Sequence, residues 1–172
     1  MNTYSNNLDK IVLSARRQLQ EIGTEEMTAK SAPEKWSKKE ILGHLIDSAY
    51  NNHQRFLRAE EQGNLIFPGY AQNEWVKKNA YQEREVAELI QTWATVNFHL
   101  ARLVASLSDT LLFASTREHN FHIIGMYRPE EGAPSSLAYL IWDYIAHLEH
   151  HLSQIIPDYR RINPPFSITE TI

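Results

Sequence analysis

A chain of 172 residues is long enough to bury a core without cross-links, and one domain over 1–172 is the natural expectation. It has no cysteine, which excludes disulfides, iron–sulfur clusters and thiolate-held zinc, so any metal must be held by His, Asp or Glu. The net charge of −4 comes from interspersed acids and bases, which argues against nucleic acid as a partner, and no window reaches the roughly 20 apolar residues of a membrane span. No leader pattern opens "MNTYSNNLDK", so the expected location is the cytoplasm.

The first helical period covers about residues 5–22, where Leu8, Ile11, Val12, Ala15, Leu19 and Ile22 form an apolar stripe that stops at Gly23. After a Pro-containing loop, Ser37 is an N-cap, Glu40 completes a capping box, and Gly63 ends a second helix. The connection "NLIFPGYAQNEWVKKNAYQERE" is too apolar for a flexible linker and is expected to fold back over the helices. A third helix is predicted over about 83–107, with Val86, Leu89, Ile90, Trp93, Val96 and Leu100 at spacings of three and four.

The stretch from Ser108 to Ser136 has no clean period, and a connection that long in a compact domain implies a task for it. Within it, "LLFAS" and "NFHIIGMY" are the right length to pair as a short hairpin. A fourth helix starts near Ser135 behind Pro134 and ends before Pro157. The tail "NPPFSITETI" reads as an extended surface strap. Four amphipathic helices without strand alternation predict an all-α four-helix bundle with long inter-helix connections, in which up-down-up-down topology is not dictated.

The last helix contains "HLEHHLSQI", residues 147–155. On a helical wheel His151 lies roughly 50° from the centre of the apolar stripe, His147 roughly 90° and His150 roughly 150°. The first two border the core and the third faces water. His147 and His151 are spaced i, i+4, which lets two imidazoles on one face reach the same ion. A third ligand has to come from another element, and the second helix offers His44 and His53. Periodicity puts His53 nearer the stripe, whereas His44 is accompanied by a polar row of Asp47, Ser48, Asn51 and Arg55. That row is either the wall of a pocket or the solvated edge of an amphipathic helix.

Other bundle chemistries fit poorly. A di-iron carboxylate site needs paired Glu-x-x-His motifs, and "HLEHH" does not match His-Glu-x-x-His because Glu149 is not next to His147. His119 and His122 of "EHNFH" sit in the long connection, where solvated imidazoles are the simplest reading. Trp36, Trp75, Trp93 and Trp142 read as packing residues.

Three segments together, "KWSKKEILGHLIDSAYNNHQRF", "GYAQNEWV" and "DYIAHLEHHLSQI", resemble the DinB-like superfamily, and the resemblance covers about residues 5–156. It implies a metal-binding four-helix bundle with His44, His147 and His151 on one divalent ion, zinc or nickel, and open positions for water or a small-molecule substrate. It also implies a homodimer. The superfamily includes thiol S-transferases that use bacillithiol or mycothiol and metal-dependent hydrolases of the YfiT type. The first expectation is thiol S-transfer with a low-molecular-weight thiol as cosubstrate; hydrolysis and a non-catalytic, stress-associated metal-binding bundle are the alternatives. Asp47, Asn51 and Arg55 are candidates for the pocket wall, with Arg55 suited to a carboxylate on a cosubstrate. Gln154 is a candidate to support a ligating imidazole from behind.

Overall fold

The structure, a computed structural model, describes residues 2–166. Four long helices carry it, and three of them begin where a side chain satisfies a free N–H group of the first turn. In α1 (Thr3–Gln20) the Asn2 side chain accepts from the Ser5 N–H at 2.9 Å. In α3 (Lys38–Gln62) the Ser37–Glu40 capping box is complete, and Gly63 closes the helix at φ 70°, a conformation that favours glycine. The third long helix, α5 (Val86–Ser106), follows a single 3-10 turn at Tyr81–Glu83. The last, α8 (Leu137–Ile155), is capped by Ser136. Between them lie α2 (Thr24–Thr28), α4 (Gln72–Lys78), α6 (Asp109–Phe113) and α7 (Phe121–Ile124).

The expected hairpin is not formed. "LLFAS" provides most of α6, capped by Ser108, and "NFHIIGMY" begins with α7. Leu112 and Phe121 reach the core from these single turns with no exposed surface. The backbone of this connection pairs outside itself or across its whole length, in isolated bridges between Leu65 and His119 and between Thr116 and Ser135. Neither joins the two expected strands, because each segment finds its apolar partner in the bundle rather than in the other segment.

Around the bundle α1 packs on α5, α5 on α3, α3 on α8, and α8 on α1. Helices consecutive along the chain are therefore not always neighbours: α1 lies diagonal to α3, and α5 diagonal to α8. The core between them holds Trp93, Phe56, Leu8, Ile11, Leu19 and Leu100, none more than 2% exposed. Burying each such side chain stabilises the fold by about 1.5–3 kcal/mol.

The segment after α8, including residues 163–166 at the start of the expected strap, lies against that helix. Buried Glu149 accepts from the Tyr159 hydroxyl at 3.0 Å and from the N–H groups of Ile162 and Asn163 at 2.6 and 3.0 Å. The indole N–H of Trp142 donates to the Pro164 carbonyl, and Phe166 packs on Tyr139 and Trp142. The rest of the predicted strap, 167–172, lies outside the described residues. Of the four tryptophans, Trp93 is fully buried, Trp36 and Trp142 are half-buried, and Trp75 is exposed against Tyr70 rather than part of the core. Among the described residues no helix is long and apolar enough to cross a membrane.

Candidate metal centre

The adjacency of α3 and α8 brings His44 to face His147 and His151. On α3 every residue from Leu42 to Ala49 is buried, because the chain from α4 to the 3-10 turn packs over this helix as α5 and α8 do. The approach is close: a methyl group on Gly43 would overlap the Tyr81 ring. With no solvent face on this part of α3, periodicity has nothing to rank, which is why it favours His53 over the histidine that faces α8. His44 has no exposed surface. His53 is half-buried and pairs instead with His99 of α5, Nε2 to Nε2 at 3.1 Å.

The Nε2 atoms of His44 and His147 stand 3.2 Å apart. The ring centroids of His44 and His151 are 4.9 Å apart, those of His147 and His151 4.6 Å, and the three available nitrogens lie within 4.8 Å of one another. Two imidazole nitrogens about 2.1 Å from one ion at the tetrahedral angle would be about 3.4 Å apart, so the 3.2 Å spacing fits a shared ion.

The electrostatics agree. Burial, with His151 nearby, pushes the pKa of His44 down to about 3. Burial first, then His151 and His44, holds His147 well below the ordinary imidazole range. Burial also lowers His151, against a hydrogen bond to the Gln154 side-chain oxygen that raises it. Three neutral imidazoles are the state in which a cation finds lone pairs rather than protons.

The Gln154 Oε1 accepts from Nδ1–H of His151 at 2.7 Å, which leaves Nε2 of that ring as the free nitrogen. Its amide nitrogen contacts Nε2 of His150 at 3.2 Å. His44 differs. Its Nδ1 is buried without a partner, and the ring is held by packing between Trp36 and Tyr70 at centroid distances of 5.1 and 6.4 Å.

A cleft of roughly 440 Å³ opens beside His147 and His151, within the range of small-molecule sites. Ser48, Asn52 and Arg55 of α3 line it together with Asp143 of α8, Ile123 and Arg128. The long connection supplies one wall of it, from Ile123 to Arg128. It is tied down by Asp143, whose carboxylate accepts from the N–H groups of Met126 at 3.1 Å and Tyr127 at 2.7 Å.

A model of the family described as the DinB superfamily matches residues 13–155. The chain belongs to the DinB superfamily. Among solved structures it is similar to YfiT from Bacillus subtilis, described as a probable metal-dependent hydrolase with an unusual four-helix bundle topology. The TM-score is 0.68 at 15% identity, over 88% of this chain and 81% of that one, a likeness of fold. No curated protein matches the chain.

In this DinB-superfamily chain the structure corrects several expectations about the pocket. Arg55 lines the cleft, but Asn51 does not; the next residue, Asn52, takes its place. Asp47 is absent from the cleft lining and accepts from the Tyr81 hydroxyl at 2.7 Å and the Asn79 amide at 2.9 Å, so it anchors the α4 connection. His150 is half-buried at the cleft rather than facing open water, because the 123–128 wall rises beside it. His119 is buried, donating to the Ala133 carbonyl at 2.7 Å, and His122 lies 3.8 Å from Glu131; neither is in the cleft. Tyr70, Arg128 and Asp143 escape a reading of the sequence. Asp143 alone leaves a signal there, as an acid one turn before His147 on the same helical face.

Proposed function

We propose that the chain is a metal-dependent enzyme acting on a small molecule, with His44, His147 and His151 holding one divalent ion, zinc or nickel, and that its reaction is hydrolysis of an ester or amide. The observation that carries this reading is the convergence of three neutral imidazoles beside a cleft, with no carboxylate among them. A divalent ion bound there would supply a Lewis acid of undiminished charge, which brings the pKa of water toward neutrality. The description of YfiT as a probable metal-dependent hydrolase supports hydrolysis as the first reading.

The chain's own residues bind and orient. Gln154 fixes the ring of His151, and the packing of Trp36 and Tyr70 fixes that of His44. The Tyr70 hydroxyl, its pKa pushed up to about 12 by burial, stays protonated and can donate to a substrate oxygen. Ser48 and Asn52 add neutral polar groups along the same wall. The overall change adds water across the acyl bond: the carbonyl carbon gains the water oxygen, and the leaving alcohol or amine takes up the proton.

Thiol S-transfer is the second reading. The polar cleft with two arginines suits a charged thiol cosubstrate, and a chain without cysteine needs its thiol from outside. The test is elemental analysis joined to turnover. The wild type should hold about one zinc or nickel per chain, with His44→Ala, His147→Ala and His151→Ala each losing it. A nitrophenyl ester should be cleaved in proportion to bound metal. Metal retained by all three variants would sink the site, and turnover only of an epoxide plus a low-molecular-weight thiol would replace hydrolysis by transfer.

A further inference from the structure

We infer that Arg55, with Asn52 and Arg128, forms a carboxylate-binding subsite in the same cleft as the three histidines, so that the substrate class is a small organic acid. The inference rests on the reading of this cleft as a metal-dependent active site. Its starting point is an unusual arginine. Arg55 is only 6% exposed, on the inner face of α3, yet none of the ion pairs among the described residues includes it. A buried guanidinium ordinarily has a carboxylate against it, because leaving water is costly for a charge.

The obvious internal partner is already committed. Asp143 acts on Arg55 electrostatically, but both of its carboxylate oxygens accept backbone N–H groups from the loop wall. Arg55 itself donates to the Asn52 side-chain oxygen at 3.4 Å and to the Pro68 carbonyl at 3.1 Å. Of the five N–H donors of a guanidinium, that leaves Nε–H, which is buried without a partner, and one N–H on each terminal nitrogen. Burial draws its pKa down, but a guanidinium stays protonated, so the charge persists in the cleft wall. Arg128 adds a second cation from the loop-derived wall of the same cleft, where its Nε–H donates to the Gly125 carbonyl at 3.3 Å.

The geometry selects the anion. A planar fork of N–H groups matches a carboxylate with two parallel hydrogen bonds. No lysine lines the cleft, and Asp143 offsets part of the positive charge, which disfavours a doubly charged phosphate. His44 and Arg55 are about three turns apart on α3, up to about 16 Å of helix rise. The acid group therefore sits away from the bond that reacts.

The test uses the full chain stripped of metal, so that a carboxylate cannot be held by an ion. Glutarate, its neutral diamide and inorganic phosphate are titrated while the cleft resonances are followed by NMR. Glutarate should bind at least tenfold more tightly than the diamide and more tightly than phosphate. Arg55→Gln should abolish that preference, Arg128→Gln should reduce it several-fold, and His53→Ala, outside the cleft, should leave it within twofold. Equal binding of diacid and diamide, tighter binding of phosphate, or unchanged glutarate affinity in Arg55→Gln would overturn the subsite. Should Arg55→Gln not fold, Arg55→Lys and Arg128→Gln with the diacid–diamide contrast decide. Elemental analysis of the same variants separates the two readings. Loss of the metal assignment with glutarate selectivity intact leaves the subsite standing, and the reverse result removes the subsite alone.

Discussion

The α1–α5 side of the bundle and the α3–α8 side are built from different materials. Along α1 and α5 the buried polar residues are Ser5 and Asn97, and both are satisfied: the Ser5 hydroxyl donates to the Asn2 carbonyl at 3.2 Å, and Asn97 donates to the Trp93 carbonyl at 2.8 Å and accepts from the Tyr144 hydroxyl of α8 at 2.5 Å, while the buried indole N–H of Trp93 has no partner. Along α3 and α8 the buried polar residues include His44, Asp47, Asn52, Arg55, Asp143 and Glu149. Several keep atoms without partners: His44 Nδ1, Asp47 Oδ2 and Arg55 Nε. The α3–α8 side carries more buried polar atoms without partners, each at a cost in stability.

That division can be broken by experiment. The largest effect is expected from His147→Ala, which should lower metal affinity by about a thousandfold or more and remove the associated activity while the chain still folds; circular dichroism and elemental analysis on one sample would check it. Trp93→Ala should do the opposite, costing about 3–5 kcal/mol of stability in chemical denaturation while the folded fraction keeps its metal. Asp143→Asn should sit between the two sides. Weakening the bonds to Met126 and Tyr127 should cost about 1–3 kcal/mol, and protease susceptibility should rise at the 123–128 wall. Gln154→Ala should lower metal affinity by about tenfold with no change in melting temperature of the metal-free chain. His53→Ala should leave metal content unchanged; its loss there would show that the wheel, not the fold, had chosen the right histidine.

Local signals made most of the fold legible. Ser37 and Glu40 are three residues apart and need nothing else to start α3, and the i, i+4 spacing of His147 and His151 needs only a helix. The choice of His44 over His53 needed either a family resemblance or the knowledge that Tyr81 closes over Gly43, a contact made from the far end of a connection. The same holds for the cleft. The helical wheel puts Asn51 rather than Asn52 in the polar row with His44, yet it is Asn52 that lines the cavity with the 123–128 wall. The short helices α6 and α7 were missed because four or five residues carry too little of a period to be told from a strand.

The order of helices around the bundle also constrains how the centre comes into being. His44 and His147 touch across a sequence separation of 103 residues, and closing a loop of that length has an entropic cost that only the finished core can offset. During synthesis, α1 to α5 emerge with a single histidine of the triad among them, so no complete claw exists until the final helix has left the ribosome. Non-local contacts of this kind form late in folding. An ion held by all three imidazoles would therefore report on completed assembly, and its chelation would be expected to quicken unfolding more than it slows refolding.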